Sequence, residues 1–363
     1  MRKDSEHPFR QFENDPGRHA LVELFVREHC GKIKDLLRDC VPLAKGSFGN
    51  ILGIRGKAAT ALGLALKEYP RKYESVIAPF AEQQRLSVNI PSAPRIWGSD
   101  QADGKDYVIM DEIPGVNLWA LPQLQELPRA ARLRIFLDAL GIVDQYRKAG
   151  KRHNDITPSN LGVDATGDMR SFDPDFMSDL HQSDTDRFEN KSVGSPAYMA
   201  PEAVINLPAG RGPHSDSFSM GATLIAAITG EILPKLLGEN GVNDYFFYML
   251  NTEKMQREID VMLHEIIKDP VLLKVLLRLL HTDPAQRTVE PELRSELESG
   301  AADHRTMRYI LDDYSPAYRT AVQQWEERMG MAGEQEGFMR TWLRRTAISC
   351  EKLIEFFKGL RNV

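Results

Sequence analysis

The stretch GKRHNDITPSNLGV, Gly150 to Val163, sets a histidine, a carboxylate and an amide close together where a helical pattern gives way to an apolar strand-like one. Asp155 and Asn160 stand five residues apart, and Asp173, in SFDPDF, lies eighteen beyond Asp155. Oxygen donors on neighbouring strand ends suit a hard cation such as Mg2+ held against phosphate, with a separate carboxylate left to orient a hydroxyl. A fold that uses these residues must bring a loop and two strand ends together, and that requires a sizeable core. The 363 residues can supply one: 42% are hydrophobic and 27% charged, the proportions of a globular protein.

Upstream of that stretch the pattern changes twice. Residues 19–39 carry apolar side chains at helical spacing, which predicts a helix before the first strands. From Val41 to Ile113 short β-rich runs follow, NILGI, ALGLALKEY, PRIWGS and YVIMDEI. The Asp103-Gly104 pair predicts a hairpin turn between the last two. One helical patch, PFAEQQRLSVN, interrupts them, with Pro79 suited to a first helical turn. Beyond Pro114 the chain reads as mostly helical, and RLRIFLDALGIVDQYRKAG is its clearest amphipathic helix. The longest apolar run, Phe218 to Leu233, is shorter than the roughly 20 residues needed to cross a bilayer. It predicts a buried core helix.

Two further features sit in the β-rich part. PLAKGSFGNI, Pro42 to Ile51, is a glycine-containing hairpin in which Gly46 and Gly49 let backbone N–H groups approach phosphate. LALK follows and ends at Lys67, a strand lysine able to pair with phosphate if a carboxylate holds it. Glu82, on the helical patch, is the candidate, with Leu86 one turn on sharing its face and directed into the core.

In their joint order these motifs resemble the eukaryotic-type (Hanks-type) protein kinase family over roughly residues 38–300. The glycine-rich loop is similar to G-x-G-x-x-G with Ala44 in the first glycine position. Lys67 matches the strand lysine, Met110 in VIMDEIPG the gatekeeper, and His153, Asp155 and Asn160 the catalytic loop. Asp173 matches the metal-binding Asp that begins Asp-Phe-Gly, and GSPAYMAPE resembles the end of the activation segment. Asp216 falls where the central large-lobe helix begins, and Arg287 matches the partner of the carboxylate at Glu202.

The resemblance implies an α+β, bilobal fold: an N-terminal helical extension (1–37), a small β-rich N-lobe (38–113), a larger α-helical C-lobe (114–300) and a C-terminal helical extension (301–363). It implies a serine/threonine kinase that uses ATP and Mg2+, or Mn2+. Asp155 would accept the hydroxyl proton, Asn160 and Asp173 hold the metal, and Lys67, paired with Glu82, hold the α/β-phosphates. Nucleotide contact is implied for Ala44, Gly46, Ser47, Phe48, Gly49, Ile51, Ala65, Lys67, Met110, Asp111, Glu112 and Ile113, the last three through backbone bonds to adenine.

Four positions in the loops around Asp155 and Asp173 depart from the family pattern. Asn154 stands where many members carry Arg, which removes the usual cationic partner of a phosphorylated activation loop. Thr157 replaces a Lys that helps hold the γ-phosphate. Pro174 and Asp175 replace Phe and Gly after Asp173, so a flip of that loop is disfavoured. Asp175 is a further metal ligand, a source of divalent-ion preference, or a solvent-facing side chain. Two other functions stay open: a nucleotide-binding pseudokinase scaffold, and a small-molecule kinase of the aminoglycoside phosphotransferase type, which shares His-x-Asp-x-x-x-x-Asn.

Composition narrows the partners. A net charge of −6 gives no support for a nucleic-acid partner, so the expected partners are ATP and a protein substrate. The acidic run SDLHQSDTDRFEN reads as a solvated loop or as a preference for basic substrates. Three cysteines, Cys30, Cys40 and Cys350, lack metal-ligand spacing and fit a reducing compartment. With no export signal in MRKDSEHPFRQFEND and no transmembrane segment, the expectation is a cytoplasmic protein or a delivered effector. From Gly337 onward Phe338, Trp342, Leu353 and Phe357 stand among basic residues, an amphipathic helix for packing, for a membrane surface or for a partner. Trp325 is a candidate packing partner for it. The sequence assigns no oligomeric state.

Overall fold

The computed structural model describes residues 8–45, 49–55, 57–70, 83–84, 87, 89–181, 194–204, 212–239 and 242–329. The chain forms two compact units, one of residues 1–71, 95–114 and 320–363, the other of residues 72–94 and 115–319. The N-terminal helices thus share a unit with the β-rich segment, and the chain after residue 300 is divided between the two.

The first unit is built on a five-stranded antiparallel sheet. Its strands are β1 (Cys40–Lys45), β2 (Asn50–Ile54), β3 (Leu64–Pro70), β4 (Ile96–Ala102) and β5 (Lys105–Asp111), in the order β1-β2-β3-β5-β4. β4 and β5 meet at the expected turn, where Asp103 and Gly104 both have positive φ, 50° and 73°, as a type I′ hairpin requires. Leu64, Leu66 and Glu68 of β3 lie opposite Asp111, Ile109 and Tyr107 of β5, so these six side chains share one face. The helices α1 (Pro8–Glu13), α2 (Pro16–His29) and α3 (Ile33–Leu37) belong to the same unit. Leu21, Val22 and Phe25 of α2 and Ile33 and Leu36 of α3 pack on that face to make its core, each large side chain contributing roughly 1.5–3 kcal/mol.

Two sequence expectations need correction here. The single helix over 19–39 is two helices, because Gly31 at φ 77° ends the first; a left-handed glycine stops a helix even where apolar spacing continues. The strand expected to start at Ala61 starts at Leu64, because Lys57–Leu62, alanine-rich, forms a short helix α4. Gly63, φ 62°, turns the chain between them, and a Cβ there would meet the Phe12 ring at 3.0 Å. The Pro79 patch lies mostly outside the described residues.

The second unit is mainly helical. The Arg129–Lys148 helix buries Leu133, Phe136, Leu140, Val143 and Tyr146, and the Ser215–Thr229 helix is buried along nearly its whole length, as its apolar sequence predicts. Short strands carry the loops between them: β6 (Gly115–Asn117), β7 (Lys151–Arg152), β8 (Leu161–Asp164), β9 (Met169–Ser171) and β10 (Ser178–Asp179). They pair as β6-β8-β9 and β10-β7. The expected Glu202–Arg287 pair is formed, with Arg287 Nη1 and Nη2 donating to the two Glu202 carboxylate oxygens at 2.6 and 2.8 Å. Arg287 is fully buried and also donates to the carbonyls of His281, Thr282 and His214. No described helix is long and apolar enough to cross a membrane. The amphipathic segment from Gly337 and residues 182–190 of the acidic run lie outside the described residues.

These two polar nodes generate predictions. Glu68 accepts from Asn50 Nδ2 at 2.9 Å and Tyr107 Oη at 3.1 Å and pairs with Lys105 Nζ at 3.0 Å. Burial alone would raise its pKa, but these donors hold it below 4.5, while burial and the Glu68 charge push Tyr107 up to about 12. Because the folded pKa is depressed, the stabilisation is complete above the unfolded value and fades as pH falls through the folded one. Glu68→Gln is expected to lose about 1–3 kcal/mol near neutral pH, a gap that closes on acidification in thermal unfolding. Arg287→Ala, which strands the Glu202 carboxylate, is expected to cost about 3–5 kcal/mol in the same measurement.

Candidate active site

The second unit gathers the loop residues singled out in the sequence. Asp216, in the first turn of the Ser215–Thr229 helix, accepts the backbone N–H of His153 at 2.6 Å on one carboxylate oxygen and that of Asn154 at 3.0 Å on the other. Thr223, on the same helix, donates its hydroxyl to Ile156 O at 3.1 Å. The loop between β7 and β8 is thus fastened at both ends of its first turn to the most buried helix of the unit. Asn154 occupies the left-handed region at φ 67°, which asparagine tolerates better than most residues.

His153, completely buried, links this loop to the next. Its Nε2 lies 3.0 Å from Phe172 O, and Asp155 N–H points at its Nδ1 at 3.4 Å; the two contacts fit the neutral tautomer with the proton on Nε2. Phe172 N–H in turn donates to Asn160 O at 2.7 Å. Asn160 Nδ2 donates to the Asp155 carbonyl and to Asp155 Oδ2, both at 2.9 Å. Asp155, Asn160 and the residue preceding Asp173 are therefore joined in one closed set of hydrogen bonds.

Asp155 Oδ1 is buried and has no hydrogen-bond partner among the described residues. Burial raises the Asp155 pKa above its ordinary value; the Ser195 hydroxyl pulls it back, and the charge of Asp173 adds to the rise. Asn160 spends both amide hydrogens on Asp155, and among the described residues no donor reaches its Oδ1. An amide oxygen and the Asp173 carboxylate are the hard donors that Mg2+ takes, so the residues present fit that ion. Asp173 has φ 59° and ψ 61°, and Pro174 opens the 3-10 turn Pro174–Phe176. Asp175 is buried, 1% exposed, which overturns the solvent-facing reading of its side chain: the turn that starts at Pro174 faces it inward.

In the first unit, register collects most of the remaining candidates. Ala44 lies opposite Ile51, Ile51 opposite Lys67, and Ala65 opposite Met110, so all five side chains occupy the sheet face opposite the N-terminal helices. Lys67 is 6% exposed, and its Nζ lies 5.0 Å from the centre of the Tyr69 ring. Gly49 backs directly onto β3, where a Cβ would come within 2.2 Å of Glu68 O. That close approach accounts for glycine at this position. Of the segment after Met110, Asp111 N–H is taken by Arg95 O at 2.9 Å and Glu112 N–H by Gly63 O at 2.8 Å. Of the three amides, that of Ile113 is the one left for a ligand among the described residues. Gly46, Ser47, Phe48, Glu82 and Leu86 lie outside the described residues.

Sequence reasoning missed the role of Thr223, one of several hydroxyls along its helix, and Arg18, whose guanidinium meets Asp111. For Arg18 the available signal was a charge on an apolar stripe.

The geometry agrees with what comparison finds. Residues 42–296 match the family model described as protein kinase domain. CBL-interacting protein kinase 5 of Oryza sativa subsp. japonica is 30% identical over 195 residues, 52% of this chain and 41% of that protein. CBL-interacting protein kinase 12 of the same organism is 31% identical over 143 residues, 39% of this chain and 26% of that protein. Serine/threonine-protein kinase chk-1 of Caenorhabditis briggsae is 25% identical over 267 residues, 70% of this chain and 54% of that protein. The chain thus spans about a quarter to a half of the length of these relatives. With a five-stranded sheet unit, a helical unit and a family match over most of its length, this chain belongs to the protein kinase domain family.

Proposed function

We propose that the chain transfers the γ-phosphate of ATP to a serine or threonine hydroxyl of a protein. One observation carries the reading: the half-buried Asp155 carboxylate is held at Oδ2 by Asn160 Nδ2 and lies against the Ser195 hydroxyl. A carboxylate so held is aimed to receive a hydroxyl proton. Ser195 beside it, and the serine/threonine-protein kinase name of the chk-1 relative, support an alcohol acceptor on Ser or Thr.

In this mechanism Asp155 orients the acceptor hydroxyl and takes its proton. Asn160 Oδ1 and the Asp173 carboxylate would hold Mg2+, or Mn2+ with the same oxygen preference, which would supply positive charge against the phosphates. Lys67 holds the α/β-phosphates, Glu82 being the partner that the family resemblance implies for it, and Ile113 N–H with the Asp111 carbonyl holds the adenine. The three cysteines without metal spacing support a cytoplasmic setting.

Label transfer from γ-labelled ATP to a basic protein, run separately with Mg2+ and Mn2+, tests the reading. Asp155→Asn is expected to lower kcat by roughly 10²–10⁴-fold while nucleotide binding persists; undiminished turnover would overturn the assignment. Asn154 donates to Phe176 O at 2.6 Å and Ser178 Oγ at 2.9 Å, a neutral fastening where the family often has a cation that reads loop phosphate. Alanine at Ser183, Thr185 and Ser192 together is therefore expected to leave activity intact, and its loss in the same assay would refute that independence.

A further inference from the structure

Side chains from both ends of the chain converge on the end of β5. Asp111 lies on the helix-covered face of the sheet, opposite Leu64, while Met110 before it lies on the other. Arg18 of α2 donates through Nη2 to Asp111 Oδ1 at 2.5 Å, and Trp97 Nε1 donates to the same oxygen at 2.7 Å. Arg18 and Asp111 are both buried. The same guanidinium donates through Nε and Nη2 to Leu62 O at 3.0 and 2.7 Å. Leu62 adjoins Gly63, whose carbonyl accepts Glu112 N–H. One arginine therefore spans both segments whose mutual hydrogen bond sets the strand end.

Glu112, one residue on, is held from two other directions. Arg55, just past β2, donates to its carboxylate at 2.8 and 3.4 Å, and Arg328 donates to Oε1 at 2.5 Å. Arg328 ends the Pro316–Arg328 helix, whose Trp325, 1% exposed, meets Phe9 and Phe12 edge-on at 5.2 and 5.9 Å. The Phe12 ring lies 4.5 Å from the Arg18 guanidinium. The contacts run unbroken from the C-terminal helix through Phe12 and Arg18 to Asp111, and through Arg328 to Glu112.

A buried ion pair is a weak source of stability, since desolvation offsets most of its attraction, but it fixes the relative position of what it joins. Neither arginine belongs to the candidate machinery. We propose that Arg18 and Arg328 are positioning residues through which the two terminal helical segments set the Asp111–Ile113 backbone for base recognition; the identity of the ligand rests on the kinase reading above. Ile113 N–H follows directly on the two fastened residues, and a hydrogen bond to a nucleotide base weakens steeply with small displacements.

The test uses the full chain and the variants Arg328→Met, Arg328→Lys, Arg18→Met and Arg18→Lys. Amide exchange without nucleotide, affinity for a fluorescent ATP analogue, and the separate kcat and KM for ATP are measured. Arg328→Met and Arg18→Met are expected to raise KM for ATP and weaken the analogue about five- to tenfold, the loss of one charge-assisted contact, with kcat little changed. Exchange at Asp111 to Ile113 should quicken while the Arg129–Lys148 helix is unaffected, and the lysine variants should recover part of each effect. If Arg18→Met does not fold, the partly exposed Arg328 variants carry the measurement. Unchanged exchange at the strand end, or a lowered unfolding temperature with unchanged KM, would overturn the proposal. A wild-type chain that bound no nucleotide would instead sink the kinase reading and the base-positioning role with it, and exchange rates would still show whether the arginines hold the strand end.

Discussion

The Asp216 carboxylate is the point from which the catalytic loop takes its position. Its two oxygens receive two consecutive backbone N–H groups, donors that would otherwise be buried without acceptors. Hydrogen bonds to a charged group contribute about 1.5–3 kcal/mol each, against about 1–2 kcal/mol for a left-handed residue such as Asn154. The two bonds therefore outweigh the backbone cost they impose. His153 passes the constraint to Phe172 O, Phe172 to Asn160 O, and Asn160 to Asp155. A loop that is poor in regular structure inherits the rigidity of a helix buried almost throughout its length.

The sheet solves a different problem with register alone. Alternation sends Leu64, Leu66, Tyr107 and Ile109 toward the N-terminal helices and leaves Ala65, Lys67 and Met110 on the other face. A one-residue slip of β3 against its neighbours would bury Lys67 among leucines and remove Leu66 from the core, so packing enforces the placement of the lysine. Glu68 sits on the apolar side and is tolerated because Asn50, Tyr107 and Lys105 satisfy its oxygens. The polar group that burial would penalise becomes a joint between β2, β3 and β5.

Local patterns were legible in the sequence; among long-range pairings Glu202–Arg287 was expected through the family resemblance, while pairings outside the family's motifs were not legible. The Asp103-Gly104 turn, the buried Ser215–Thr229 helix and the spacing of Asp155, Asn160 and Asp173 each depend on residues close together in the chain. α4 was missed because KAATAL runs directly into an apolar strand, and apolar runs of that length do not separate helix from strand by period. Arg18 shares the stripe of Leu21, Val22 and Phe25. A charge among those residues signals a buried partner, yet the partner lies 93 residues away and no periodicity names it. The hydroxyl of Tyr318 on Asp164 O, 154 residues apart, was hidden for the same reason.

The departures from the family pattern make physical sense together. Asp173 adopts φ 59° immediately before a proline, although a residue in that position prefers an extended backbone. Such a conformation persists only where the surroundings determine it more than once. Phe172 is held on both its N–H and its carbonyl, by Asn160 and His153. Beyond the turn, Met177 N–H closes on Pro174 O, and the Asn154 amide reaches Phe176 O and Ser178 Oγ. An arginine at 154 would tolerate the left-handed backbone less well and would not reproduce that short amide fastening. Asn154, Pro174 and the buried Asp175 thus form one arrangement, in which local hydrogen bonds on both sides keep a strained aspartate in place.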